Sequence, residues 1–401
     1  MKCFRNLLMQ AAIVALCLSS CGDKASTQVG KESQNECNKS ECPKFNATVN
    51  FGTGVNVSHW LSQSSSRGEE RANQISKRDF DSIAAMGFDH VRIPVDEEHI
   101  FDEQGNRLED GFQLLHKAIN WALENNLKVL VDLHVIRSHH FNNENSTPNT
   151  LFTAPQSQDK FIQLWLDIQK ELKAYPKDKV AYEIMNEPVA PSCNAWNELI
   201  DRYIKTIRET EPDRTLVIGS NMWQVVQTFD SLVVPSDDKN LILSFHSYDP
   251  LLVTHHQAPW TGYAYYKGKV NYPGLIIEDT AFYKELDEDQ LVAMRGLNKE
   301  WNKEVIEQNL MKAINVADSL GLQLYCGEFG AYPYYVDKEV RLKWYDDITS
   351  IFRTHKIGNA HWCYKGDFPI VNEDGSANEL PAILTKKINF QKSTYNPIRQ
   401  R

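Results

Sequence analysis

The segment that most constrains the fold runs over residues 180–188 and reads Val-Ala-Tyr-Glu-Ile-Met-Asn-Glu-Pro. Its apolar and aromatic residues are typical of a buried β-strand. Pro188 has no N–H and keeps Glu187 out of the right-handed helical region, so we expect the strand to end there. Asn186 and Glu187 then lie at the C-terminal end of a strand, which in parallel α/β proteins is where ligands bind.

A second segment places a carboxylate in the same kind of position. Residues 322–327 predict another buried strand, and Glu328 follows it within Gly-Glu-Phe-Gly. Two carboxyl groups at strand ends are the groups needed to hydrolyse a glycosidic bond. We therefore expect Glu187 and Glu328 to form a catalytic pair.

Strand and helix patterns alternate along the rest of the chain. Strands are predicted over residues 50–57, 90–95, 128–134, 180–188, 215–220, 241–248, 322–327 and 358–364, and helices over residues 75–86, 113–126, 159–175, 195–210, 225–229, 300–319, 338–355 and 380–388. Eight strand-then-helix units predict a closed (β/α)₈ barrel, the TIM barrel fold, as a single catalytic domain over residues 49–401. The connection over residues 249–298 is too long for an ordinary loop and is rich in aromatic residues, so we expect it to shape the site.

The first 48 residues are predicted to lie outside this domain. Lys2 and Arg5 precede an apolar run over residues 7–18, which is too short to span a bilayer and is typical of a secretory signal. The run closes on Leu-Ser-Ser-Cys at residues 18–21, which resembles the lipobox of bacterial lipoproteins. This resemblance implies a signal peptide over residues 1–20 and an acylated Cys21; an ordinary signal with an incidental cysteine is the alternative. The polar residues 21–48 predict a flexible tether.

Charge and targeting limit the partners of the domain. The net charge of −10 argues against nucleic acids and anionic lipid surfaces as partners and favours a neutral substrate. We expect a monomer that works outside the cytoplasm, anchored by lipid on Cys21 at the outer membrane or the cell surface. A polymeric substrate favours the cell surface because long chains do not enter the cell intact.

Further polar and aromatic side chains fall in or near the ends of the predicted strands. They are Arg92 in strand two, His134 at strand three, His246 and Tyr248 at strand six, and Trp362 at strand eight. Each alone has an ordinary structural explanation, such as an ion pair, a buried histidine or core packing. Their shared position on one rim of the barrel predicts a single site.

This set of segments resembles glycoside hydrolase family 5, within the clan whose two catalytic glutamates close strands four and seven. The matching segments occur in the family's order over almost the whole domain. They are Gly54-Val55-Asn56, His90-Val91-Arg92-Ile93-Pro94, Asp132-Leu133-His134, Met185-Asn186-Glu187-Pro188, Ser244-Phe245-His246-Ser247-Tyr248, Gly327-Glu328-Phe329-Gly330 and His361-Trp362.

The resemblance implies a retaining glycosidase in which Glu187 is the acid/base and Glu328 is the nucleophile, with carboxyl groups about 5–5.5 Å apart. Arg92 and Tyr248 would hydrogen-bond Glu328 and keep it ionised. The nearby Glu328 carboxylate would raise the pKa of Glu187 and keep that group protonated. Asn186 would bind the 2-hydroxyl of the sugar.

The resemblance also assigns the remaining residues of the rim. His134 and His246 would bind hydroxyl groups or tune the acid, and Trp362 would offer an apolar surface to a pyranose ring. A cis peptide bond is implied between Trp362 and Cys363. This chemistry requires no metal ion and no cofactor.

Several alternatives stay open at the level of the sequence. The resemblance favours a retaining endo-β-1,4-glycanase acting on a β-glucan polysaccharide or oligosaccharide, with β-mannan as the alternative substrate. A metal-dependent hydrolase would draw on Asp132, His134 and His246. The pairs at residues 139–140 and 255–256 also invite a metal site, although adjacent histidines lack a clear ligand spacing. A surface glycan-binding lipoprotein would not need both glutamates.

Aromatic residues outside these motifs have two interpretations. They can line a cleft that stacks several sugars, or they can pack in the core and loops. The residues concerned are Trp60, Trp223, Trp260, Tyr263, Tyr265 and Tyr266.

Overall fold

The computed structural model describes residues 47–142 and 149–386. The signal peptide, Cys21 and nearly all of the tether predicted above lie outside these residues. Within the two described ranges, no helix is long and apolar enough to cross a membrane.

Eight parallel strands close into a barrel. They are β1 (Thr53–Asn56), β2 (His90–Val95), β3 (Lys128–Leu133), β4 (Val180–Glu183), β5 (Leu216–Gly219), β6 (Leu241–His246), β7 (Gln323–Phe329) and β8 (Gly358–His361). Each strand pairs with its neighbours in sequence, and β8 pairs with β1 to close the barrel. The predicted (β/α)₈ fold is confirmed.

Helices surround the barrel. The α-helices are Gly68–Gln74, Lys77–Ala85, Glu97–Ile100, Glu109–Glu124, Pro155–Leu172, Cys193–Arg208, Asn221–Gln224, Leu251–Thr254, Glu288–Leu297, Lys303–Leu320, Lys338–Thr354 and Leu380–Leu384, and two 3₁₀ helices cover Val226–Ser231 and Thr280–Glu285. Helix Cys193–Arg208 shows why these segments are helical. The Ser192 side chain accepts a hydrogen bond from the Ala195 N–H at its start. Its buried residues recur at helical spacing, at positions 196, 199, 200, 203, 204 and 207.

The barrel interior is apolar at the bottom and polar at the top. Leu130, Ala181, Val217 and Ile242, from four consecutive strands, pack in one buried cluster with Tyr325. Because side chains alternate along a strand, the inward-facing positions two residues further on lie one layer higher. In β3 and β4 these positions are occupied by acidic residues, at 132 and 183. The polar layer therefore lies at the C-terminal end, as predicted for the site.

The connection between β6 and β7 contains a small sheet that the sequence did not predict. Gly274–Leu275 pairs antiparallel with Glu300–Trp301. The next helix therefore begins at Lys303 rather than at residue 300, and the Asn302 side chain caps it by accepting from the Val305 N–H. The last helix also ends earlier than predicted, at Leu384 rather than at residue 388.

Candidate active site

The two predicted catalytic glutamates meet at the C-terminal rim of the barrel. One oxygen of Glu187, one oxygen of Glu328 and one ring nitrogen of His246 all lie within 4.8 Å of one another. Retaining glycosidases place their two carboxyl groups about 5–5.5 Å apart, whereas inverting enzymes need about 6.5–9.5 Å to fit a water molecule. The separation observed here suits the retaining reaction.

Glu187 lies on an irregular segment beyond β4. The strand ends at Glu183, not at residue 188 as predicted. The Asn186 N–H still donates to the Leu133 carbonyl, so the segment remains bonded to β3. At Glu187 the backbone has φ 42°, in the left-handed region. This conformation lies outside the right-handed helical region that Pro188 disfavours, and the Glu187 carboxyl group contacts His246 at the end of β6.

Glu328 owes its orientation to a bulge in β7. Phe245 pairs with Cys326 and His246 with Glu328, so Gly327 is the extra residue. Tyr325 points into the barrel. Strict alternation would direct Glu328 outward, but the extra residue returns it to the inner face. A side chain at Gly327 would place its Cβ 3.0 Å from Nε2 of His246, which favours glycine there.

Arg92 and Tyr248 hold the Glu328 carboxylate, as the resemblance implied. Arg92 Nη1 donates to Glu328 Oε1 over 2.9 Å, and the Tyr248 hydroxyl donates to Oε2 over 3.0 Å. Arg92 Nη2 also donates to Asn186 Oδ1 over 2.9 Å. This bond fixes which end of the Asn186 amide acts as acceptor. Glu328, the predicted nucleophile, and Asn186, the residue predicted to bind the 2-hydroxyl, are therefore both positioned by Arg92.

Two buried carboxyl groups complete the surroundings of Arg92, and sequence reasoning did not assign them this role. Arg92 Nε donates to Glu183 over 2.7 Å, and Nη2 lies 3.0 Å from Asp132. Gln224 Nε2 donates to the other oxygen of Glu183. Burial raises the pKa of Asp132 and of Glu183 to about 7 in each case, and Arg92 opposes both shifts. The sequence does contain a signal for this role at Glu183, which is an acidic residue inside an otherwise apolar strand pattern.

The surroundings of the two glutamates separate their roles. Burial raises the pKa of Glu187 well above its usual range, and the Glu328 charge raises it further. Burial also raises the pKa of Glu328, but the adjacent Arg92 charge opposes this shift. The arrangement therefore favours the proton on Glu187 and the negative charge on Glu328, as an acid and a nucleophile require.

The two histidines of the rim have different partners. His246 Nδ1 lies 2.9 Å from Glu187 Oε1, and burial keeps the pKa of His246 well below its usual value. His134 Nδ1 lies 2.7 Å from Asp132 Oδ2, and burial lowers the pKa of His134 to about 3. Both rings are therefore neutral. His246 contacts the acid directly, whereas His134 is fixed by Asp132.

Trp362 lies one residue beyond β8. Its peptide bond to Cys363 is cis, as the resemblance implied. The Trp362 ring lies parallel to the His134 ring, with centroids 5.6 Å apart and planes 10° apart. The tryptophan is thus held in place beside the site; stacking of a sugar on it stays a prediction.

The structure does not support the predicted alternative of a metal site built from Asp132, His134 and His246. Asp132 and His134 bond each other, and within residues 47–142 and 149–386 the group with suitable spacing is instead Glu187, His246 and Glu328. The Arg92 guanidinium lies 2.9 Å from Glu328. This fixed positive charge disfavours a divalent cation in the same position.

A cavity of about 330 Å³ opens beside Glu187. Trp223 and Val226, from the connection after β5, form one part of its wall. Tyr263, Trp301 and other residues of the connection after β6 form another. Because the acid protonates the leaving oxygen, a cavity next to Glu187 suits the leaving group. The expectation that this long connection shapes the site is confirmed.

The structure separates the aromatic residues that the sequence left undecided. Trp60 and Tyr266 are fully buried in the core, and Tyr265 packs against it. Trp223 lines the cavity; its φ of 60° lies in the left-handed region, and its Nε1 donates to the Phe141 carbonyl over 3.0 Å. Trp260, by contrast, is exposed.

Comparison with known proteins agrees with this site. A family model described as Cellulase (glycosyl hydrolase family 5) matches residues 49–367. Endoglucanase C of Acetivibrio thermocellus is 34% identical over 346 residues, which cover 84% of this chain and 99% of that protein. Cellodextrinase A of Ruminococcus flavefaciens is 29% identical over 306 residues, covering 76% of this chain and 82% of that protein.

A solved endoglucanase structure superposes with a TM-score of 0.68 at 25% identity, covering 84% of this chain and 97% of that chain. The match spans the barrel, and it includes Glu187 and Glu328, the predicted acid and nucleophile. The chain belongs to glycosyl hydrolase family 5 and is a glycoside hydrolase of the retaining type.

Proposed function

We propose that the protein is a retaining endo-β-1,4-glucanase that cleaves a neutral β-glucan. The observation that carries this proposal is the close approach of Glu187 and Glu328, with Arg92 and Tyr248 bonded to one and His246 to the other. The similarity to endoglucanase C over nearly the whole length of that protein supports the choice of β-glucan.

In the first step, Glu328 attacks the anomeric carbon while Glu187 protonates the departing glycosidic oxygen. The bond from carbon to the leaving oxygen breaks, a bond from carbon to a Glu328 oxygen forms, and the leaving chain departs through the cavity beside Glu187. The Asn186 amide donates to the 2-hydroxyl, a contact that strengthens in the oxocarbenium-like transition state. Arg92 and Tyr248 hold Glu328 in line for the attack.

In the second step, Glu187 is ionised and accepts a proton from a water molecule that attacks the same carbon. The bond to Glu328 breaks, and the sugar leaves with its original β configuration. The resulting Glu328 carboxylate is again stabilised by Arg92. His246 stays within hydrogen-bond distance of Glu187 and orients it.

A panel of purified polysaccharides with a reducing-sugar readout tests the substrate. We expect activity on hydroxyethyl cellulose or mixed-linkage β-glucan, both of which are neutral, and a rapid fall in viscosity, which reports internal cleavage. Proton NMR of the first product should show the β anomer. Activity on β-mannan alone would contradict the substrate, and an initial α anomer would contradict the mechanism.

We further propose that the enzyme is a lipoprotein monomer on the outside of the cell. The lipobox-like residues 18–21 and the polar segment that follows support this proposal. Two or more acyl chains give stable anchoring, whereas one chain binds only marginally. Cys21→Ala should move the protein to the soluble fraction with unchanged activity, and light scattering of the released form should give the mass of one chain. A Cys21→Ala variant that stays in the membrane fraction would contradict the anchor.

A further inference from the structure

A group of aromatic side chains lies in the connections that follow β6 and β7. We call it the aromatic ridge, and it consists of Trp260, Tyr332, Tyr334 and Tyr335. Trp260 is 40% exposed, Tyr334 is 62% exposed and Tyr335 is 54% exposed. Single apolar residues on a surface need no explanation, but a contiguous exposed group indicates a binding surface.

The rings of the ridge contact one another. The Tyr332 ring centroid lies 5.0 Å from that of Trp260, 4.9 Å from that of Tyr334 and 6.1 Å from that of Tyr335. Tyr332 is therefore the centre of the ridge. Its N–H donates to the Thr254 carbonyl over 2.7 Å, which fixes the connection after β7 to the one after β6.

The ridge continues into the catalytic site. Tyr332 and Trp260 both lie 6.0 Å from the Phe368 ring, and Phe368 packs in one buried cluster with Trp362. The Phe368 ring is also 6.2 Å from that of Tyr248, the residue that donates to Glu328. The ridge is therefore joined to the residues around Glu328 by direct ring contacts through the buried Phe368.

We propose that the aromatic ridge binds a further stretch of the β-glucan chain, beyond the sugars held at Glu187 and Glu328. Glucopyranose rings carry C–H groups on their faces and hydroxyl groups on their edges. Tyrosine and tryptophan match both, with an apolar ring and a polar O–H or N–H. This inference rests on the proposed glucanase function and extends it to a second binding surface.

The ring planes indicate which form of glucan binds. The Tyr332 ring is inclined by 80° to Trp260, by 69° to Tyr334 and by 39° to Tyr335. Sugars on the face of a crystal lie in parallel planes and would need coplanar aromatic rings. The ridge therefore suits a single flexible chain, such as a soluble or amorphous glucan, and not a crystalline surface.

The test compares a long and a short substrate. Trp260→Ala and the double variant Tyr334→Ala/Tyr335→Ala should each lower kcat/KM on soluble mixed-linkage β-glucan by about tenfold, mainly through KM. The loss should be absent with an aryl cellobioside, which is too short to reach the ridge. Tyr334→Phe/Tyr335→Phe keeps the rings and should retain most of the polymer activity.

Two controls accompany these variants. Val233→Ala changes a residue that is 63% exposed and lies outside the ridge, and it should match the wild type on both substrates. Melting temperatures and circular dichroism establish that the ridge variants are folded. Binding of Glu328→Gln to soluble β-glucan, measured by affinity electrophoresis, should weaken when the ridge substitutions are added.

Four other outcomes would overturn the proposal, and each identifies a different reason. Unchanged KM on the polymer in the ridge variants rejects the ridge while the glucanase function stands. Equal losses on polymer and aryl cellobioside indicate a packing role at the catalytic site instead. Dimers in sedimentation that the substitutions dissociate would identify a second copy of the chain as the occupant. If the wild type hydrolyses no β-glucan, the proposed function fails and the ridge proposal fails with it.

Discussion

Nδ1 of His246 lies 2.9 Å from Oε1 of Glu187, so the proposed acid/base beyond β4 is tied to the end of β6. The same nitrogen lies 3.7 Å from Glu328 Oε2. Because burial keeps the imidazole neutral, it orients Glu187 without adding a charge between the two carboxyl groups. The proton that the reaction needs is therefore favoured on Glu187 and is not held by the histidine.

The two glutamates should respond differently to removal of charge. Glu328→Gln should reduce turnover by more than about 10⁴-fold on every substrate, because no other group forms the glycosyl-enzyme. Glu187→Gln should lose about 10²–10⁴-fold on polysaccharide but still release the phenol of an activated aryl cellobioside in a burst. Stopped-flow absorbance measures this burst. Equal losses for both variants on the activated substrate would contradict the assignment of roles.

The pH profile of kcat/KM should report the proton on Glu187. Burial and the nearby Glu328 raise the pKa of Glu187, so the acid stays protonated above the usual range of a glutamic acid. Activity should therefore persist toward neutral pH and fall as Glu187 ionises. In Glu187→Gln, the alkaline limb should disappear for release of the phenol from the activated substrate. An unchanged alkaline limb in that variant would assign it to another group.

Arg92→Lys should reduce both stability and catalysis. Lysine cannot reproduce the planar donors that bond Glu328, Asn186 and Glu183, and it leaves buried carboxyl groups incompletely paired. We expect a loss of about 3–5 kcal/mol in the free energy of unfolding and a fall in kcat of about 10²-fold or more. Urea denaturation and steady-state kinetics measure the two effects.

The matched control for Arg92→Lys is Arg202→Lys. Arg202 pairs with Asp159 on the surface, where both side chains are largely exposed. Exposed pairs contribute about 0–1 kcal/mol, so this variant should be near wild type in stability and activity. Similar effects at both positions would show that the buried network has no special role.

Asp96→Asn should change how stability depends on pH. Asp96 is buried, one carboxyl oxygen accepts from the Gln63 N–H, and burial raises its pKa to about 8. The folded state thus holds a proton that the unfolded state releases near pH 4, so Asp96 destabilises the protein progressively as pH rises from about 4 to 8. The variant should melt at the same temperature as wild type at pH 4 and higher at pH 8. Differential scanning calorimetry across this range measures the difference; parallel curves would contradict it.

The barrel and the catalytic pair were predictable because their signals are local. Each strand carries its own apolar run, and β2 was predicted to the residue. The bulge at Gly327 was not predictable, since the register depends on the partner strands and not on the sequence of β7 alone. The early end of β4 has the same cause: the segment after Glu183 continues to bond β3 and β5, but without regular pairing.

The burial of individual side chains was also not predictable from the sequence. Trp60 and Trp260 both lie in connections outside the strands, yet Trp60 is fully buried and donates to the Arg71 carbonyl, whereas Trp260 is exposed. The difference arises from segments distant in sequence that cover one ring and not the other. The bond from Arg92 to Glu183 likewise joins residues 91 positions apart. Composition and periodicity carry no information about such contacts.

The connection between β6 and β7 supplies part of the cavity wall beside Glu187, while Arg92, Glu187 and Glu328 all belong to other segments of the barrel. Its own small sheet, Gly274–Leu275 with Glu300–Trp301, gives it internal structure. Tyr248, at the start of this connection, holds Glu328 and has to be kept. Insertions, deletions or exchanges beyond it can alter what the enzyme accepts as a leaving chain while Arg92, Glu187 and Glu328 stay on other segments. Mutations that change the substrate range can therefore accumulate in one part of the sequence while the residues of the reaction are preserved in others. For the same reason, the part of this connection beyond Tyr248 is a suitable segment to graft between relatives.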